Sequence, residues 1–383
     1  MSHAFLLKLR RYYKLLFVIV FVILLLVIRM WYVQQQFLQG FKNRLRARDN
    51  MIEEIKDYND KNVQNLQHRL PKVIGIGVKK CGTDGVLSFL NHHPLVRIPD
   101  GMESFFFTQT GELDLGKYRR MMPLTNERQV AMEKTPIYFA FPPGNNPERI
   151  KSSIPGVKLI LIVCDPTPRA FSDYVHERAR YKLFRDQMVA KYNTFEQFVD
   201  GNLPILQSNI KDWLSSSQHH SDLREKFLQM SINDSKATLL SNGIYSAHIQ
   251  QWQRLFNETT LKIVDGNKFM DDPGSIIEEL QDFIGIPKVL LREDFVRHPI
   301  TKYFCYRKFT EQDFASINTE HNHEEEFVKQ LKCLTNTKGR TRNGKQKAKE
   351  ETLEKLRAFY YPFNQQFFKD IGENFSWSQP KNL

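Results

Sequence analysis

The chain alternates two hydrophobic patterns. Short continuous apolar runs are separated by stretches in which apolar residues recur every three or four positions. A continuous run of four to eight apolar residues predicts a strand buried on both faces, and the longer period predicts a helix with one buried face. Strands are therefore expected over residues 73–78, 130–133, 157–163 and 261–264. Helices are expected over 83–92, 171–185, 244–256, 274–284 and 353–371. Strands alternating with helices predict an α/β fold, with a parallel central sheet flanked by helices on both faces. In such sheets ligands bind beyond the carboxyl ends of the strands. There is no internal repeat and no long low-complexity tract.

One apolar run belongs to neither pattern. Residues 15–28, LLFVIVFVILLLVI, carry no polar side chain, and Met30, Trp31, Tyr32 and Val33 extend the run past Arg29. A signal-peptide core or a buried helix has similar length. However, Arg29 can snorkel, Trp31 and Tyr32 suit a membrane interface, and no small-residue cleavage site follows. Lys8, Arg10, Arg11 and Lys14 precede the run and place the N-terminus on the cytoplasmic side. The expectation is a type II signal anchor: a tail over 1–14, a span over 15–33, a polar and partly helical stem over 34–70, and a lumenal body over 71–383. The basic cluster Lys42, Arg44, Arg46 and Arg48 reads as a solvated face of the stem.

Composition narrows the partners. The formal net charge of +12 predicts attraction to a polyanion or an anionic surface. An anchored lumenal body makes nucleic acid a poor candidate and a sulfated polysaccharide a good one. Three glycosylation sequons, at Asn233, Asn257 and Asn374, agree with a lumenal body. Of the four cysteines, Cys305 and Cys333 can close a hairpin-sized loop in an oxidising compartment. None of the four has zinc-ligand spacing, and the chemistry proposed below requires no metal.

The candidate chemistry begins in residues 72–90, KVIGIGVKKCGTDGVLSFL. A buried strand runs into a basic turn, and a helix is expected to start at Thr83, a good N-cap residue. Backbone N–H groups and the helix dipole make such a turn an anion cradle. It resembles a Walker A loop, but there the lysine follows the last glycine. Here Lys80 precedes Gly82, which is the order of the 5′-phosphosulfate loop of sulfotransferases that use 3′-phosphoadenosine 5′-phosphosulfate (PAPS). A kinase-like NTPase would need the other lysine position and a magnesium-holding aspartate, and ranks well below.

Four further stretches resemble heparan sulfate glucosamine 3-O-sulfotransferases, and more loosely the related N-sulfotransferase domains. Glu133-Lys134-Thr135-Pro136-Ile137-Tyr138-Phe139 is similar to their Glu-Lys-Thr-Pro-x-Tyr-Phe segment. Asp165-Pro166, Arg169 and Ser172-Asp173-Tyr174 resemble their 3′-phosphate motif. Ile263-Val264-Asp265-Gly266 resembles their next strand. Phe304-Cys305, Cys333 and Lys338-Gly339-Arg340-Thr341 resemble their disulfide and donor-clamping loop. The match runs from about residue 72 to 377, most of the chain beyond the stem.

The resemblance implies roles. Glu103, in Met102-Glu103-Ser104-Phe105-Phe106-Phe107, is the general base that removes the proton of a sugar hydroxyl. Lys80 stabilises the leaving oxygen of the bisphosphate. Lys134 lies on the opposite side of the acceptor hydroxyl. Cys81, Gly82 and Thr83 contribute the 5′-phosphate loop, Ser172 holds the 3′-phosphate, and Lys338, Gly339, Arg340 and Thr341 close over the donor. The implied activity is transfer of a sulfuryl group from PAPS to heparan sulfate in the Golgi lumen.

Each residue also has a plainer reading. Without its motif Glu103 is a surface carboxylate, Lys134 a solvated lysine, Ser172 an ordinary first-turn residue, and residues 338–349 a basic loop. Arg169 reads as pairing within its own turn, and His321 and His323 as solvated.

The chain departs from the pattern at the site itself. Asp84 stands where the family has arginine, Phe105 replaces a histidine, Thr108 an acid, and His176 a glutamine. Cys164 replaces an arginine that binds the 3′-phosphate, a loss worth about 1.5–3 kcal/mol of donor binding unless another cation, such as His176 or Arg178, substitutes. The alternative is a catalytically weakened protein that keeps the basic cleft and binds glycosaminoglycan. Cys81 and Cys164 both sit at strand ends, but a bridge would restrict the donor loop, so free thiols are favoured there.

Overall fold

The computed structural model describes residues 3–101, 103–140, 145–184, 192–215, 238–311, 313, 328–333 and 347–381. The chain divides into two compact units, Met1–Glu54 with Phe309–His321, and Ile55–Lys308 with Asn322–Leu383. In the first unit the long helix α1 (His3–Lys61) carries the apolar run as an unbroken exposed cylinder. A 50-residue stretch, Tyr12–Lys61, contains a window of mean hydropathy 2.8, long and apolar enough to cross a membrane. In the same unit Arg46 pairs with Glu311 at 2.6 Å, so that member of the basic cluster is an ion-pair partner.

The second unit is built on five parallel strands in the order β2-β3-β1-β4-β5. These are β1 (Val73–Gly77), β2 (Val96–Arg97), β3 (Val130–Lys134), β4 (Lys158–Val163) and β5 (Leu261–Asp265). In the three central strands the apolar run means what was expected: all five residues of β1 and the last five of β4 are buried. Register is parallel throughout, with Val73 opposite Met132 on one side and Lys158 on the other. All the strand ends that carry candidate chemistry therefore emerge along one edge.

Helices α2 (Thr83–Leu90), α3 (Pro166–Phe184), α4 (Phe195–Ser215), α5 (Ser246–Leu255), α6 (Pro273–Ile284) and α7 (Glu350–Ile371) cover the sheet or extend it. α3 begins five residues earlier than the periodicity implied, because Pro166 is suited to a first helical turn. An aromatic core outside the sheet joins α3, α4 and α7 through Tyr174, Phe198, Tyr360 and Phe363. A small antiparallel sheet, β6 (Phe295–Arg297), β7 (Phe304–Tyr306) and β8 (Lys332–Cys333), lies outside the expected pattern. Its β7–β8 pairing sets Cys305 opposite Cys333, and these two form a disulfide.

The C-terminal segment braces the strand ends. The Trp377 indole N–H donates to Asp265 and the Ser378 amide to Asp165, one acid beyond β4 and one closing β5.

Candidate active site

The turn after β1 is shaped by backbone as much as by side chains. Lys80 adopts φ +74°, a left-handed conformation that disfavours any residue with a Cβ. Gly82 adopts φ +96° and caps α2, so the cap is Gly82, one position earlier than the expected Thr83, which is the first helical residue. Only glycine takes that conformation at no steric cost. The turn also lies tight against the end of β5. A Cβ on Gly266 would come within 2.6 Å of the Cys81 carbonyl oxygen, so glycine there is what admits the loop. The compact turn and its helix start fit a 5′-phosphate group.

The turn is held by a covalent bond that the sequence did not favour. Cys81 and Cys164 are bridged, joining the donor turn to the end of β4. The expectation of free thiols is corrected: the parallel pairing of β1 with β4 brings the two strand ends together, with 5.3 Å between the Cα atoms. The Cys81 amide donates to the Val78 carbonyl, and the Tyr245 hydroxyl donates to the Cys164 carbonyl. Cys81 thus shapes the turn, with its amide and its sulfur both engaged inside the protein.

Lys79, one residue before Lys80, is taken up by α3. Its ammonium pairs with Asp173 at 2.8 Å and also with Glu177. Both carboxylates are buried, and Arg169 pairs with Asp173 from the other side at 3.0 Å. Burial opposes the Lys79 charge, but Asp173 and Glu177 outweigh it and raise its pKa. Burial likewise opposes ionisation of Asp173, yet Lys79 and Arg169 hold its pKa below the ordinary value. The reading of Arg169 as a pairing residue within its turn agrees with this geometry.

Ser172 is buried on the same helix, next to the residue that binds Lys79. His176 follows one turn later and is half-buried. Burial, then the Lys80 and Lys79 charges, push its pKa down to about 4. At neutral pH it is an uncharged imidazole beside Lys80, and so not the standing cation that would replace the lost arginine.

On the other side of β1, Lys134 ends β3 and reaches two acids from different loops. It pairs with Asp84 on the first turn of α2 and with Glu103 at 2.9 Å. Burial opposes its charge, but the two carboxylates raise its pKa above the ordinary lysine value. A cavity of about 270 Å³ opens here, with Glu103, Asp84 and Lys134 in its wall. Directly beneath, Glu133 is 2 % exposed. It accepts from the Tyr118 hydroxyl at 2.8 Å and from Thr135 at 3.1 Å. Burial raises its pKa to about 7, against the opposing hydrogen bonds of Tyr118 and Thr135. Ser104, next to Glu103, contacts Tyr138 Oη at 2.9 Å, so the loop that carries Glu103 rests on the same polar cluster.

Glu103, Lys134 and Asp84 are thus brought together, and Lys80, Gly82 and Thr83 lie on the adjoining turn. Lys338, Gly339, Arg340 and Thr341 fall outside the described residues, as do Asn233, His321 and His323. Asn257 and Asn374 are exposed. Sequence reasoning gave no role to Lys79 or Glu177, and named Asp173 and Glu133 only as members of motifs. Asp173 and Glu177 are four apart on an expected helix and so share a face, a signal that was available for pairing with a lysine. Among the described residues no group of three or more His, Cys, Asp or Glu could hold a metal ion.

Comparison with known proteins places this arrangement in a family. The sulfotransferase domain family matches residues 70–369. The chain belongs to that family. Among curated relatives, human heparan sulfate glucosamine 3-O-sulfotransferase 3B1 is 30% identical over 309 residues, which is 81% of this chain and 65% of the relative. Human heparan sulfate glucosamine 3-O-sulfotransferase 3A1 is also 30% identical, with 63% of its length covered, so the chain spans less than two thirds of these two relatives. Mouse heparan sulfate glucosamine 3-O-sulfotransferase 5 is 27% identical over 345 residues, 89% of this chain and 82% of that protein. A solved sulfotransferase from Alicyclobacillus acidocaldarius superposes with a TM-score of 0.50 at 16% identity, covering 80% of this chain and 98% of that one. That likeness concerns the fold, and it agrees with the α/β architecture expected from the strand pattern. The sulfotransferase family implies PAPS as donor, so the phosphate-cradle reading of the β1–α2 turn rests on family as well as on geometry.

Proposed function

We propose that this chain transfers the sulfuryl group of PAPS to a hydroxyl of heparan sulfate, at the glucosamine 3-O position, on the lumenal side of the Golgi membrane. Residues 15–33 anchor it, 34–70 form a stem, and the body begins near residue 71. The observation that carries the reading is the continuity of the two half-sites. The first turn of α2 supplies Thr83 to the donor cradle and Asp84 to the cavity wall, and Lys134 bonds Asp84 and Glu103 together.

In this reading Glu103 removes the acceptor proton and Lys134 holds Glu103 in place. Lys80 and the amides at the start of α2 neutralise charge on the departing 5′-phosphate. Ser172 contributes to the 3′-phosphate side, and residues 338–341 close over the donor. Such preorganised charges are worth about 10²–10³ in rate for one donor group.

The test is transfer of labelled sulfate from PAPS to heparan oligosaccharides by the full-length glycosylated chain. Lys80→Ala and Glu103→Gln are each expected to lower transfer about 10²–10³-fold. Absence of transfer by the folded wild-type chain rejects the enzyme reading. One observation favours a second reading, glycosaminoglycan binding with weakened turnover. The residue at the family's 3′-phosphate arginine position is Cys164, and it is locked in the bridge to Cys81. Retained heparan binding without transfer would select it.

A further inference from the structure

Glu133 has no part in the mechanism above, yet it lies in the wall of the same cavity as Glu103, Ser104 and Lys134. It is buried near the end of β3, and hydroxyl groups from separate segments converge on its carboxyl. Tyr118 donates from the short helix Leu115–Met121 at 2.8 Å, and Thr135 from the turn after β3 at 3.1 Å. Ser104, in the loop that carries Glu103, and Tyr138 also lie within hydrogen-bonding reach. Three of these hydroxyl oxygens accept in turn from the loop backbone. The Phe105 amide donates to Thr135 Oγ1, the Phe106 amide to Ser104 Oγ and the Phe107 amide to Tyr138 Oη, each at 3.4 Å. Three successive amides are thus tied to one carboxyl, each through one intervening hydroxyl. A hydroxyl that donates to a carboxyl is a better acceptor for an amide, so each chain reinforces itself. The loop needs such a hold. Phe105, two residues after Glu103, adopts φ +48°, a left-handed conformation that a residue with a Cβ keeps only where its surroundings fix it.

We infer that Glu133 is a positioning residue for Glu103: acting through the hydroxyls of Thr135, Ser104 and Tyr138, its carboxyl sets the loop over residues 103–107 and so aims the base at the acceptor. This role rests on the sulfotransferase reading above and deepens it. Lys134 fixes the Glu103 carboxylate, whereas Glu133 fixes the backbone that carries it. The groups that bond the Glu133 carboxyl are the phenols of Tyr118 and Tyr138 and the hydroxyls of Ser104 and Thr135. The charged groups around the same cavity are Lys134 and the carboxylates Asp84, Asp100 and Glu103. Burial outweighs the hydrogen bonds and raises the Glu133 pKa to about 7, so the closed loop favours the protonated carboxyl. Lifting the loop admits water to Glu133. Ionisation and loop opening are therefore linked, and above pH 7 the open loop gains.

The experiment reads transfer and loop order separately, on the full glycosylated chain. Transfer from PAPS to heparan oligosaccharides gives kcat and KM across the pH range. Hydrogen exchange followed by mass spectrometry gives the protection of the amides of residues 104–107, corrected for the intrinsic exchange rate at each pH. Glu133→Ala is expected to lower kcat about tenfold or more, to leave the KM for PAPS within about twofold, and to remove the loop's protection. Glu133→Gln offers one accepting oxygen and one donor, as the protonated carboxyl does, and is expected to recover most of both losses. The wild-type kcat is expected to fall about tenfold from pH 6 to pH 8, as one group titrating near 7 requires, and Glu133→Gln to stay level. Tyr118→Phe removes a hydrogen bond that favours the ionised form, so the fall is expected to move to higher pH. It also gives a second readout should Glu133→Ala fold poorly. Wild-type kcat and protection in Glu133→Ala overturn the inference. So does the wild-type pH fall persisting in Glu133→Gln, or equal damage by alanine and glutamine at every pH, which marks a merely structural role. A folded wild type that transfers no sulfate, but whose loop protection is lost with alanine and kept with glutamine, rejects the parent reading and leaves the positioning role standing.

Discussion

Lys79 and Lys134 are the same residue type at the same edge of the sheet, and each holds two carboxylates. The difference lies in which partner is dry. Lys79 is 25% exposed, while its acids Asp173 and Glu177 are 2% and 3% exposed. At Lys134 the order is reversed: the lysine is buried and its acids face the cavity. A pair whose acids are sealed from water is not readily exchanged with solvent and fixes α3 to the turn after β1. A pair whose acids are solvated can exchange its bonds when another molecule arrives. The donor side is therefore built to stay still, and the acceptor side to be negotiated.

The largest expected effect is on the covalent part of the donor side. Replacing both Cys81 and Cys164 by alanine opens a cross-link across 83 residues. In the loop-entropy picture this lowers stability by about 4–5 kcal/mol, against about 3–4 kcal/mol for the 28-residue bridge Cys305–Cys333. Chemical denaturation of the two double variants measures the difference. A donor bridge whose loss costs less than the other would mean that the turn is held chiefly by its ion pairs.

The two lysines can be set against each other directly. Lys79→Met removes the ammonium that the buried Asp173 and Glu177 share, and is expected to cost about 3–5 kcal/mol. Lys134→Met leaves two carboxylates that water can reach. It is expected to cost about 1 kcal/mol or less in stability while lowering sulfate transfer. Equal losses of stability, read from melting curves, would break the contrast between a fixed and a negotiable pair.

Glu133 sharpens the contrast from the pH side. Its pKa is about 7 in the folded chain, against 4.5 for a free carboxylic acid. Between those values the folded protein keeps a proton that the unfolded chain has released, so stability falls as pH rises through the window. The loss amounts to about 3 kcal/mol by pH 7.5. Buried His93 and half-buried His92 and His176, each lowered to about 4, work the other way between pH 4 and 6.5, so the informative quantity is the difference between two proteins. Glu133→Gln is expected to remove the downward component, visible as a flatter melting temperature between pH 5 and 7.5. An unchanged slope would mean that Glu133 is already ionised when folded.

Much of the fold was legible because its strands are buried on both faces. β1 and β4 announce themselves as continuous apolar runs, and parallel order follows from the intervening helices. β2 and the strands of the small antiparallel sheet are two or three residues long and leave no period to detect. At the site, Lys80, Gly82, Glu103 and Lys134 were legible because their neighbours in sequence form motifs. The Asp84–Lys134 pair and the Cys81–Cys164 bridge were not, since each joins residues 50 or more positions apart through the register of parallel strands. Glu133 was visible as part of a motif, but its protonation depends on Tyr118 and on burial, which only the fold supplies.

The shared first turn of α2 has an energetic consequence. In the proposed function one rigid element carries Thr83 on the donor side and Asp84 on the acceptor side, so a shift that improves either contact moves the other. The two substrates are then thermodynamically linked: whatever factor the donor imposes on acceptor affinity, the acceptor imposes on the donor.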